Sequence, residues 1–206
     1  GKARSVDWHR LKSVLRYLKG SATIGVQSVG VELPFGDMGD SEVPQVILAS
    51  DSDYAGDENL QSTSGWVVWL RFQGRCALVA AECRKQSVVS LSVGESETYA
   101  AVAAAADGIH YRQLLSQVLG QDCQVVHYLD SSSTLGMMAR LGGSRRTRHV
   151  DARVLWLQGL YARDWYRPAK VHTSLNPADV LTKPMGLSPA AAASLGLTLS
   201  SSKSEA

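Results

Sequence analysis

The order of elements along this chain predicts an α/β protein: one five-stranded mixed sheet with helices on both faces. Three observations predict it. Strand-like apolar runs follow one another over residues 46–81, and Gln73-Gly74-Arg75 marks a hairpin between the second and third. A long alanine-rich stretch, Ser92 to Leu119, has helical composition. Beyond it, strand and helix patterns alternate. Hairpins make antiparallel neighbours and βα alternation makes parallel ones, so the sheet is mixed.

The elements follow in order. Over residues 7–19, Trp8, Leu11, Val14, Leu15 and Leu18 recur at helical spacing, with Arg10, Lys12, Arg16 and Lys19 on the other face and Gly20 as the stop. Residues 28–45 hold glycines, prolines and acids and read as a linker. The run 46–53 is apolar and ends in Asp51 and Asp53; 65–71 and 77–81 are the next two strands. In the long helix Gly94 falls in the first turn, Gly108 is a place for a kink, and Gly120 ends it. A fourth strand, 125–130, again ends in an acid. Helices are expected over 131–140 and 147–164, a fifth strand over 170–173, and a short helix opening at Asn176-Pro177-Ala178-Asp179. From Leu187 the chain is rich in serine and alanine, and a frayed or disordered tail is expected.

Composition narrows the function classes. The 206 residues carry 21 Lys and Arg against 19 Asp and Glu, so the net charge is +2. That excludes a polybasic protein held on nucleic acid by charge alone. An apolar share of 45% supplies a core and excludes a disordered chain. Cys76, Cys83 and Cys123 have no metal-binding spacing and read as reduced thiols of an intracellular protein. No apolar run approaches the ~18 residues of a membrane span. The missing initiator Met suggests a piece of something longer.

The acids stand at informative places. Asp51 and Asp130 close strands; Glu97 and Asp179 lie in first turns of helices. Strand ends and helix starts meet at one edge of an α/β sheet, so distant acids can converge there. Carboxylates without intervening cations repel one another unless a hard cation sits between them, and Mg²⁺ or Mn²⁺ prefers such oxygen ligands. Each acid alone has an ordinary explanation: Asp130 before Ser131 as a helix cap, Asp179 as a partner for the helix dipole. Asp53 competes with Asp51, because residues two apart share a strand face.

Ser50-Asp51-Ser52-Asp53-Tyr54-Ala55-Gly56-Asp57 and Gln61-Ser62-Thr63-Ser64-Gly65-Trp66 resemble the opening of the RNase H domain of copia-type retrotransposon Pol polyproteins. Similar stretches continue in the family's order: Arg84-Lys85-Gln86-Ser87; Leu91 to Ala100; Tyr111 to Leu115; Leu129-Asp130-Ser131; Arg146 to Asp151; and Asn176 to Pro184. Trp8 and Leu15 to Gly20 resemble the segment joining reverse transcriptase to that domain. The resemblance covers residues 7–185 and implies an RNase H-like fold. It implies a connection helix and linker over 1–45, an RNase H-like domain over 46–186 and the tail over 187–206. Ser131, Ala80-Ala81-Glu82-Cys83 and Val93-Gly94 depart from the family pattern, but none removes a carboxylate.

The resemblance assigns Asp51, Glu97, Asp130 and Asp179 as the metal-binding catalytic set, with Glu97 preferred over Glu95 because it stands just ahead of Tyr99-Ala100-Ala101. It implies hydrolysis of the RNA strand of RNA–DNA hybrids with two divalent cations, Mg²⁺ or Mn²⁺, roughly 4 Å apart. Specificity for RNA would come from 2′-hydroxyls and hybrid groove shape. Expected partners are the hybrid and an attached or associated reverse transcriptase. The expected location is intracellular: the cytoplasm, within a retroelement particle, or the nucleus. Arg145, Arg146 and Arg148, with Arg153, form the one dense cationic cluster; with Arg84, Lys85 and Lys183 they are candidate phosphate contacts. His149 and His172 are candidate auxiliary groups for proton transfer or product release. Trp66 and Trp69 belong to opposite strand faces. Two rivals are an inactive or repurposed nucleic-acid-binding module and, ranked below it, a strand-transfer enzyme on the same fold.

Overall fold

The computed structural model describes residues 12, 24–27, 33, 43–56, 58–140, 142, 151–183, 193, 195 and 198–201. In chain order its elements are β1 (Ile24–Gln27), β2 (Gln45–Asp53), β3 (Thr63–Phe72), β4 (Arg75–Lys85), α1 (Val93–Leu119), β5 (Gln124–Leu129), α2 (Ser132–Ala139), α3 (Asp151–Ala162), β6 (Tyr166–Lys170), a 3₁₀ turn (Thr173–Leu175), α4 (Asp179–Thr182) and β7 (Thr198–Ser201).

Five strands form the main sheet in the order β4-β3-β2-β5-β6. The first three are antiparallel neighbours; β2–β5 and β5–β6 are parallel. The central strand, β2, is buried from Val46 to Asp51, as its unbroken apolar run requires of a strand covered on both faces. Gln73 and Gly74 join β3 to β4, both at positive φ (50° and 69°), the signature of a type I′ hairpin turn. A bulge between Val68 and Trp69 leaves Val79 as the extra residue on β4, and the opposite edge, β6, carries Pro168.

One face packs against α1, α2 and α3 through Val46, Leu48, Trp66, Val68, Leu129 and Leu157. Alanines at 101, 104 and 105 bring α1 close to the sheet. Gly108 completes that approach: a Cβ there would stand 2.6 Å from Leu48 Cδ1. The other face buries Ile47, Ala49, Val67 and Trp69 beneath Ala178 and Leu181. The two tryptophans do fall on opposite faces. Each ring removes about 200 Å² from water, on the order of 5 kcal/mol of burial.

Several boundaries differ from expectation. The sheet strands 65–71 and 77–81 extend to Thr63–Phe72 and Arg75–Lys85. The fifth strand is Tyr166–Lys170, not 170–173; as an edge strand with only Tyr166 fully buried, it lacks an apolar run to betray it. Gly108 marks a close approach, and α1 runs unbroken to Gly120, which caps it at φ 65°. Within the expected tail, β7 pairs antiparallel with β1, and Leu195 packs on the second face, where its carbonyl accepts the Trp69 indole N–H at 3.3 Å. A four-residue helix is too small to cover that face, so chain from both ends, Leu33 and Leu195, helps to close it. Lys12 is helical; the rest of the 7–19 helix and most of the linker lie outside the described residues.

Candidate metal centre

Register brings the acids together. Ala49 pairs with Tyr128 across the parallel strands β2 and β5. Carrying that register two residues further sets Asp51 beside Asp130, on the sheet face that α4 covers. Asp179 then arrives on the first residue of α4. The three carboxylates each offer an oxygen within 4.8 Å of the others. Glu97 comes from α1 on the opposite face, which explains why it stands beside the triad and not in it.

Glu97 nevertheless belongs to the same electrostatic unit. Burial pushes its pKa up to about 8, the charges of Asp51 and Asp130 add to the rise, and hydrogen bonds from Ser52 oppose it. Burial likewise lifts Asp51 to about 6, against a hydrogen bond from Thr182, with Asp179 and Asp130 raising it further and Lys183 opposing. Neighbouring carboxylates lose solvation together and resist ionising together. Lys183, at the end of α4, donates to Asp179 Oδ2. The other oxygen, Asp179 Oδ1, is buried with no hydrogen-bond partner among the described residues. An orphaned buried carboxylate oxygen amid like charges fits a cation ligand, and the all-oxygen donor set suits Mg²⁺ or Mn²⁺.

Two competing acids are accounted for. Glu95 is tied to the start of α1: its N–H donates to the N-cap Ser92 Oγ at 3.2 Å, while its Oε2 accepts from Leu91 N–H, just before the cap, at 2.8 Å and its Oε1 from Tyr99 OH at 2.8 Å. Asp53 is two residues beyond Asp51 at the end of β2 and outside the triad.

Arg84, Lys85 and Arg153 line a groove of about 240 Å³ with Trp66, Tyr99 and Gln86. The Arg84 guanidinium lies 5.2 Å from the Trp66 ring centre and also bonds Glu82; Arg153 lies 4.7 Å from the Tyr99 ring. Gln86 ties the groove to the acids' scaffold, donating to Ser64 Oγ and to the Ser96 carbonyl, each at 2.9 Å. Lys183 pairs with Asp179 and is half-exposed. His172 is exposed and caps its own 3₁₀ turn, its Nδ1 2.8 Å from Ser174 Oγ. Arg145, Arg146, Arg148 and His149 lie outside the described residues.

Sequence reasoning missed two features. Thr182, which donates to Asp51 Oδ2, is one. The other is a buried triad behind the acids: His127 Nε2 is 2.9 Å from Ser50 Oγ, and its Nδ1 is 2.7 Å from Tyr166 OH. The His127–Tyr166 and His127–Ser50 pairs are 39 and 77 residues apart in sequence, so no local spacing announces them.

The sheet order and helices on both faces give the RNase H-like α/β architecture that the ordered motifs implied. No family model matches the chain. It is 29% identical over 177 residues to the retrovirus-related Pol polyprotein from transposon TNT 1-94 of Nicotiana tabacum, over 85% of this chain and 12% of that polyprotein. It is 34% identical over 91 residues to secreted RxLR effector protein 161 of Plasmopara viticola, over 44% of this chain and 54% of that protein. The chain thus spans a small part of the first relative's length and about half of the second's. Among solved structures, RNase H1 of Halobacterium salinarum NRC-1 aligns at TM-score 0.46 and 19% identity, over 66% of this chain and 93% of that one. An RNase H1 designated LC11, in complex with an RNA/DNA hybrid, aligns at TM-score 0.49 and 14% identity, over 66% and 92%. The similarity to a transposon Pol polyprotein bears out the resemblance read from the ordered motifs.

Proposed function

We propose that this chain is the ribonuclease H part of a retroelement Pol polyprotein, a metal-dependent endonuclease that cuts the RNA strand of RNA–DNA hybrids. The observation that carries this is the convergence of Asp51, Asp130 and Asp179, from β2, the end of β5 and α4, within 4.8 Å. Glu97 completes the catalytic set. Two divalent cations held by these residues would supply an activated water and stabilise the departing 3′ oxygen. The chain's own residues do the rest. The sheet fixes Asp51 and Asp130, α4 brings Asp179, and α1 sets Glu97 at the rim. Arg84, Lys85 and Arg153 give the groove a positive, aromatic-backed wall suited to a phosphate backbone. Arg145, Arg146 and Arg148 belong to the same proposal, as do auxiliary roles for His149 and His172. So do the domain limits 46–186, attachment to a reverse transcriptase, and residence in a cytoplasmic particle or the nucleus.

The test is cleavage of a labelled RNA–DNA hybrid in Mg²⁺, in Mn²⁺ and in EDTA. The expected result is RNA-strand products with 5′ phosphate in either metal and none in EDTA. Hybrid binding without cleavage in both metals would overturn the reading in favour of an inactive binding module.

A further inference from the structure

Thr182 is not a residue type that a search for metal ligands or catalytic acids selects, yet the fold builds a seat for it. Asp51 pairs with Gly65 across β2 and β3. Helix α4 lies directly over Gly65: a Cβ there would stand 2.8 Å from Thr182 Cγ2 and 2.9 Å from Leu181 Cβ. The bare glycine therefore receives the threonine methyl. With its methyl set against Gly65, the hydroxyl donates to Asp51 Oδ2. The Asp179 carbonyl lies 3.3 Å away as a weaker alternative acceptor. A carboxylate is the stronger acceptor of the two. Thr182 is buried, so water does not compete for that bond. One residue later, Lys183 occupies Oδ2 of Asp179, while Oδ1 has no partner among the described residues.

We propose that Thr182 is a positioning residue for the metal centre: it holds one oxygen of Asp51 and turns the other toward the cations, so that α4 supplies one ligand and orients a second. This rests on the nuclease reading above. Ligating carboxylates are commonly steered by such outer partners, and losing one costs about 10- to 100-fold in metal affinity or activity.

The experiment measures Mn²⁺ binding to the free protein by electron paramagnetic resonance, with no nucleic acid present. Thr182→Val keeps the shape and removes the donor; Thr182→Ser keeps the donor and removes the methyl. The expected result is a rise in apparent Kd of about 10-fold or more for Thr182→Val, with Thr182→Ser near wild type. In the hybrid assay Thr182→Val should lower kcat and leave the KM for hybrid unchanged. Wild-type Mn²⁺ affinity in Thr182→Val would overturn the proposal. So would equal losses in the valine and serine variants, which would mark a packing role. Failure of the nuclease reading looks different: Asp130→Asn would then bind Mn²⁺ as wild type does.

Discussion

Ser50 and Asp51 are neighbours on β2, yet their side chains join two buried polar groups that solve desolvation in opposite ways. Ser50 belongs to the His127–Tyr166 network, where both imidazole nitrogens have partners and no net charge is needed. A neutral imidazole offers one donor and one acceptor, and this site uses both. Burial holds His127 neutral, its pKa lowered to about 3. Asp51 belongs to a group of like charges in which one buried oxygen has no partner among the described residues. The first group is satisfied by the fold; the second keeps an oxygen of the kind that suits a cation. Partner accounting thus separates a structural polar core from a functional one where burial alone does not.

The contrast breaks first at Asp130. Asp130→Asn should cut hybrid cleavage at least about a thousandfold, because residues acting as a unit fail together. The folded state should survive, as judged by circular dichroism. Retained cleavage would put Asp130 outside the reaction.

The satisfied group should fail in acid. Its folded-state pKa lies below the unfolded value, so the unfolded chain binds the proton first. Stability is then lost as pH falls from about 6.5 toward about 3, by on the order of 4 kcal/mol. Chemical denaturation across that range, with His127→Gln as the comparison, should show a flatter profile in the variant.

The charged group should fail in base. Glu97 is raised to about 8, so the metal-free folded state holds its proton above the unfolded pKa near 4.5. That contribution is present at low pH and disappears as pH rises through about 8. In EDTA above that pH, Glu97→Gln should therefore be more stable than wild type, by on the order of 5 kcal/mol. Thermal melts at pH 6 and pH 9 decide it. A variant that is no more stable at the higher pH would remove Glu97 from the coupled set.

Gly65→Ala tests the seat of α4 beside the charged group. The added methyl must push Thr182 and Leu181 outward. The expected cost is about 1–3 kcal/mol of overpacking, with weaker Mn²⁺ binding as α4 lifts away. Unchanged stability and binding would mean that α4 is not seated by the glycine.

Much of this was legible beforehand. A five-stranded mixed sheet followed from the order of elements, and the four acids were named from motifs in sequence order; the spatial order of the strands came from the structure. The choice of Glu97 over Glu95 had a local signal as well: Ser92-x-x-Glu95 at the helix start has the capping-box pattern, and Glu95 is tied there to the backbone N–H of Leu91. Asp51 and Asp53 were inseparable by periodicity, and only the approach of α4 distinguishes them. Strand β6 was displaced by four residues because Arg167, Pro168 and Lys170 break any apolar pattern on an edge. Thr182 and the His127 network depend on pairings between distant strands and helices, which no spacing within a segment can encode.

The edges of the sheet carry a consequence of their own. An open strand edge is a template for pairing with another chain. On β4 the extra residue Val79 breaks the hydrogen-bond rhythm, and Glu82, Arg84 and Lys85 place charges along the same edge. On β6, Pro168 removes a donor from the middle of the strand. Neither edge offers an uninterrupted ladder to a second copy. At high local concentration the chain is thereby guarded against edge-to-edge aggregation.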